Sequence, residues 1–98
     1  MARQVIWTPL AQQIRKEILE FWIEKTQSKS YSVKLNNLFK ESTKLLSDHP
    51  NIGRRTDVEG VRVKIVRDYL LFYEFSDSTI YILTVWDSRQ NPDELKIR

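Results

Sequence analysis

Val61-Arg62-Val63-Lys64-Ile65, then Arg67-Asp68, then Tyr69-Leu70-Leu71-Phe72-Tyr73-Glu74-Phe75 is the stretch whose reading decides the fold. The first five residues alternate strictly between apolar and cationic, the period of a strand with two unlike faces. Arg67-Asp68 is a two-residue polar break, and the aromatic and aliphatic run that follows makes the whole a β-hairpin. Ser76-Asp77-Ser78 is the next turn. Thr79 to Trp86 is apolar at positions of both parities and reads as a third strand in the interior of the sheet. With Val61, Val63 and Ile65 taken to face the core, Arg62 and Lys64 are expected on the open face.

Working outward towards the N-terminus, the apolar period changes from two to three and four. Gln4 to Trp7 is a short extended segment. Thr8-Pro9 offers a capping hydroxyl followed by the residue best tolerated at the first helical position, so a helix is expected to start at Pro9. Ile14, Ile18, Phe21 and Trp22 give it one apolar face to about Lys25. Thr26 to Ser30 is a short polar turn. Leu35, Leu38, Phe39, Ser42, Leu45 and Leu46 then mark a second helix to about Ser47, which Pro50 and Gly53 cannot continue. After the strands, the tail from Asp87 to Arg98 is polar, contains Pro92 and is expected on the surface.

The order strand, helix, helix, strand, strand, strand predicts one α+β domain over residues 1–98. A small, antiparallel-rich sheet packs on an N-terminal helical hairpin, and its other face stays partly open. Ninety-eight residues, 41% hydrophobic and 30% charged, suffice for one core and not for two. The net charge of +3 and pI near 9.3 permit an anionic partner without demanding one. With no cysteine and one histidine, disulfides, thiolate sites and His-based metal clusters are excluded. Two glycines cannot build a glycine-rich phosphate loop, and no cofactor is expected. The start carries no signal-like apolar stretch and no run of about 18 apolar residues occurs, so the chain reads as soluble and intracellular.

Four cations are candidates for chemistry. Arg62 and Lys64 share one strand face, Arg67 sits in the adjoining turn, and Arg89 follows the last strand. Brought together, they suit a phosphodiester backbone. Left apart, Arg62 and Lys64 are the solvated side of an ordinary strand, where cations also discourage edge-to-edge pairing. Arg54-Arg55 reads as a solvated loop pair. His49 could in principle serve as a general acid or base, but no nucleophile lies beside it in an identifiable motif and it reads as a turn residue. Tyr69, Tyr73 and Tyr81 could stack bases, yet strand tyrosines more often pack in cores.

Several stretches, in this order and spacing, resemble the RelE/ParE superfamily of toxins from type II toxin-antitoxin modules. They are Val5-Ile6-Trp7-Thr8-Pro9-Leu10-Ala11, His49-Pro50-Asn51-Ile52-Gly53, the hairpin quoted above, and Ile82-Leu83-Thr84-Val85-Trp86-Asp87-Ser88-Arg89-Gln90-Asn91-Pro92. The resemblance implies a cytoplasmic growth inhibitor, a concave basic surface and a cognate antitoxin protein that wraps and neutralises it. It leaves two targets open: ribosome-bound mRNA, cut as by RelE-like members, or DNA gyrase, poisoned as by ParE-like members. Ribosome-dependent cleavage is placed slightly ahead here. Residue by residue, Arg62 and Lys64 fall where RelE-like nucleases carry two strand lysines, and Arg89 lies one position beyond the basic site after the last strand, where Ser88 stands. Arg67 is a substitute for the arginine that nucleases place immediately after the strand tyrosine, which is Leu70 here. No tyrosine follows Tyr81. A domain that has lost catalysis and binds only its antitoxin, and a stand-alone nucleic-acid binder, are the other readings.

Overall fold

A computed structural model describes residues 2–90. The elements are β1 (Gln4–Trp7), α1 (Pro9–Thr26), α2 (Ser30–Asp48), β2 (Arg54–Arg55), β3 (Arg62–Val66), β4 (Tyr69–Phe75) and β5 (Thr79–Asp87). They form one five-stranded sheet in the order β1-β5-β4-β3-β2. All neighbours are antiparallel except β1 and β5, which run parallel. The α+β architecture expected from the sequence is the observed one, with β5 interior to the sheet. Asp87 still belongs to β5, and the part of the expected tail at 91–98 lies outside the described residues.

The start of α1 is the one its sequence encodes. Thr8 has extended backbone, its Oγ1 accepts the Ala11 N–H at 3.2 Å, and Pro9 follows it. The same hydroxyl donates to the Leu83 carbonyl at 3.0 Å. Leu83 lies where the pairing of β4 with β5 jumps: Phe72 faces Thr84 while the next residue, Tyr73, faces Ile82. Thr8 therefore caps a helix and ties it to a β-bulge with one side chain. At the far end of α2, the His49 N–H bonds the Leu45 carbonyl and Pro50 follows.

Ala11 of α1 and Leu35, Phe39 and Leu46 of α2 are buried against Leu71, Tyr73, Ile80, Ile82 and Val85 of the sheet. A second, smaller cluster of Val61, Phe72 and Leu83 occupies the opposite face, with Val63, Leu70 and Trp86 packed on it. This second cluster reverses the expected orientation of β3. Across the hairpin Val66 pairs with Tyr69, Lys64 with Leu71 and Arg62 with Tyr73. Because Tyr69, Leu71 and Tyr73 face the helices, the two-residue turn obliges Arg62 and Lys64 to share that side. Val61 and Val63 face the side the helices leave open, and Ile65 is half exposed there. The cations fit on the helical side because only α2 reaches β3, while α1 lies over β1 and β5.

Candidate functional site

Arg62 is bound into the fold. Its Nη1 donates to the carbonyls of Gly53 at 2.8 Å and Asn51 at 3.2 Å. The same loop is held from beneath by Tyr73, fully buried, whose hydroxyl donates to the Pro50 carbonyl at 2.7 Å and accepts the Gly53 N–H at 3.0 Å. Burial raises the Tyr73 pKa above the usual phenol value. Gly53 has no room for a side chain, since a Cβ there would lie 2.4 Å from the Tyr73 hydroxyl oxygen. Directly after this pinned loop, Arg54 and Arg55 form β2 and pair with Val63 and Arg62, so the pair expected in a loop is a short edge strand.

Lys64 stands in the middle of β3, half exposed, and Arg67 occupies the turn in the left-handed region at φ 57°. Among the described residues neither side chain is engaged in a hydrogen bond or ion pair. Arg89 sits at the same end of the sheet as Arg67, because the Ser88 N–H bonds the Asp68 carbonyl at 2.8 Å. Its guanidinium forks onto Asp87, with Nε to Oδ1 at 2.9 Å and Nη2 to Oδ2 at 2.8 Å. The Asp87 carboxyl is held below the usual range by this pairing, and Arg89 is pushed above its own.

The four sequence candidates are thus divided rather than assembled. Arg62 lies at one end of β3 and Arg67 just beyond the other, and the four steps along the strand from Arg62 to Val66 already span about 13 Å. Beside Arg89 a groove of about 340 Å³ opens between α1 and the end of β5, lined by Glu17, Ile18, Phe21, Tyr69 and Trp86 among others. It is mainly apolar, with the Asp87–Arg89 pair at its rim.

Residues 5–92 match the family described as the ParE toxin of the type II toxin-antitoxin system parDE. The chain belongs to the ParE toxin family. Among solved structures it is similar to a chain of the chromosomal ParDE toxin-antitoxin system from P. aeruginosa, with a TM-score of 0.72 at 19% identity, covering 86% of this chain and 94% of that one. No curated protein matches the sequence. As a ParE-family member the chain is the toxin component of a type II module, and membership in such a module implies a cognate antitoxin.

Within this ParE-family fold the remaining candidates take structural places. Tyr69 is buried and its hydroxyl accepts the Trp22 Nε1–H at 2.7 Å, with desolvation raising its pKa. Tyr81 is the strand tyrosine left at the surface. Leu70, where the nucleases carry arginine, faces the open side and pairs with Trp86. His49 is exposed and serves the turn through its backbone, its carbonyl accepting the Ile52 N–H. Sequence reading missed the Tyr73–Gly53–Arg62 clamp. Its one local signal is a glycine just after a helix-ending proline, because the partners lie 9 and 20 positions away in sequence.

Proposed function

We propose that this chain is a cytoplasmic toxin that arrests growth by poisoning DNA gyrase through protein-protein contact, and that its antitoxin relieves the arrest. The observation that carries this reading is the division of the basic residues. Cutting RNA without a metal needs an acid-base pair and cations converging on one phosphate. Here Arg62 is committed to loop carbonyls, Arg89 to Asp87, and the two lie at opposite ends of the sheet. Leu70 and the absence of a tyrosine after Tyr81 weigh in the same direction.

Ribosome-dependent mRNA cleavage keeps one specific support, the unengaged cations Lys64 and Arg67 on neighbouring parts of the β3–β4 hairpin. Induced expression in a bacterial host separates the two. The gyrase reading expects chromosome breaks and an induced damage response before translation falls. A prompt fall in protein synthesis with cleaved messages and intact DNA would replace it with the nuclease reading.

A further inference from the structure

The face of the sheet turned away from the helices is apolar across most of its width. Ile65 of β3 is 50% exposed there, beside half-buried Val63, Leu70 and Trp86. Tyr81 and Ile6, 36% and 38% exposed, continue the strip onto β5 and β1, since Tyr81 pairs with Glu74 on one side and Ile6 on the other. The helices pack on the opposite face, and among the described residues no helix or strand lies over this one. One face of an antiparallel sheet is commonly wet when it is polar, whereas an apolar strip of this breadth marks a contact surface.

The charges around the strip decide what can sit on it. Arg54 pairs with Val63 and Glu74 with Tyr81, so this face carries one cation and one acid. Arg67 and Asp68 at the hairpin turn add one of each. Arg55, Arg62 and Lys64 share the helical side by register. The open face is therefore neutral although the chain carries +3, and two such faces meet without net repulsion. A polyanion finds no converging cations on it. Edge-to-edge pairing is blunted at β2, whose two residues are arginines, which leaves face-to-face packing. We infer that two copies of this chain associate through the open sheet face as a weak two-fold dimer. With strands about 4.8 Å apart and about 3.4 Å per residue, Arg54 and Glu74 lie about 12 Å apart on this face. A two-fold axis in the plane between the facing sheets, bisecting that line, lays each Arg54 on the partner's Glu74 and each Ile65 near the partner's Leu83. Five strands and the seven residues of β4 give a face of about 24 by 24 Å, so at most about 1,100 Å² is covered in total, just under the standard size of a stable interface and enough for a micromolar dimer. The dimer goes beyond the toxin reading and holds whichever target is poisoned.

The test is sedimentation equilibrium of the full chain, without antitoxin, from about 1 to about 500 µM, a range that brackets a micromolar Kd. The unmutated chain is expected to pass reversibly from monomer to dimer. Ile65→Lys puts an ammonium where the two faces meet, and because each change enters twice in a two-fold dimer it is expected to weaken association by at least about 100-fold at unchanged melting temperature. Arg54→Glu sets two acids against each other and is expected to weaken association by about 10-fold, and the double variant Arg54→Glu with Glu74→Arg should restore it. Lys64→Glu, on the helical side of the same strand, should leave association unchanged. A chain that stays monomeric across the range would overturn the inference, as would a dimer that Lys64→Glu weakens as much as Ile65→Lys does. If Ile65→Lys lowers the melting temperature, the charge pair decides alone, and an Arg54→Glu variant that associates normally, or a double variant that does not recover, overturns the dimer. A monomeric chain whose Ile65→Lys variant no longer inhibits gyrase would assign the face to the target and overturn the inference too.

Discussion

Tyr73→Phe is the most informative single substitution for the fold, because one oxygen atom holds both ends of the 50–53 loop. The hydroxyl donates to the Pro50 carbonyl at 2.7 Å and accepts the Gly53 N–H at 3.0 Å, all within the buried interior. Two neutral hydrogen bonds at about 1 kcal/mol each predict a loss of about 2 kcal/mol, rising towards about 4 if both stranded backbone groups stay dry. Urea unfolding followed by tryptophan fluorescence is expected to show a midpoint lower by about 1 to 2 M at unchanged slope. Gly53→Ala meets the same atom from the other side, since its Cβ would lie 2.4 Å from the hydroxyl oxygen, and overpacking costs about 1 to 3 kcal/mol. Without its anchoring bonds the ring can shift away, so the double variant is expected to lose at least about 0.5 kcal/mol less than the sum of the single losses. A Tyr73→Phe loss below about 0.3 kcal/mol, or strict additivity, would refute the clamp.

Arg62→Gln is expected to cost about 1.5 to 3 kcal/mol by urea unfolding, since it removes a charged donor from two carbonyls, whereas Lys64→Gln should stay within about 0.5. Equal costs would mean that Arg62 does not hold the loop. Arg67→Gly is expected to raise stability by up to about 1 kcal/mol, because a non-glycine residue at φ 57° pays about 1 to 2 kcal/mol and glycine gives back part of that in chain entropy. A lowered melting temperature would contradict it. The Asp87 carboxyl is depressed in the folded chain, so its contribution is complete above the unfolded value near pH 4 and is lost as pH falls through the lower folded value. Asp87→Asn should therefore flatten the acid limb of the stability profile, and an unaltered limb would count against the pairing with Arg89. Tyr69 and Tyr73 are raised instead, so the folded state holds protons that the unfolded chain releases. Stability should fall as pH climbs past about 10, by up to about 1.4 kcal/mol per pH unit for each tyrosine, and Tyr73→Phe should make that fall shallower.

The local signals of this sequence were strong where one element decided its own form. Thr8-Pro9 marked the start of α1, Pro50 the end of α2, and the doubly apolar run of β5 its place inside the sheet. What could not be read locally was which side of β3 meets the helices. The alternation Val61 to Ile65 shows that the faces differ, but both kinds of face find apolar company here, and the choice is set by the register with β4 across the turn. That single parity decided the site as well. With the valines turned away from the helices, Arg62 meets the loop carbonyls of Asn51 and Gly53 instead of open solvent. The Asp87–Arg89 fork spans only two residues, yet nothing in its spacing distinguishes it from two independently solvated charges.

Arg62 and Arg89 serve the fold of this toxin, and the proposed poison acts on gyrase. The most direct measurement adds the purified chain to two reconstituted reactions, gyrase with supercoiled and relaxed DNA, and translating ribosomes with a defined message. Gyrase poisoning predicts inhibited supercoiling or trapped cleavage complexes, with the message intact. Cut messages alongside unaffected gyrase would contradict it and return Lys64 and Arg67 to the centre of a nuclease site.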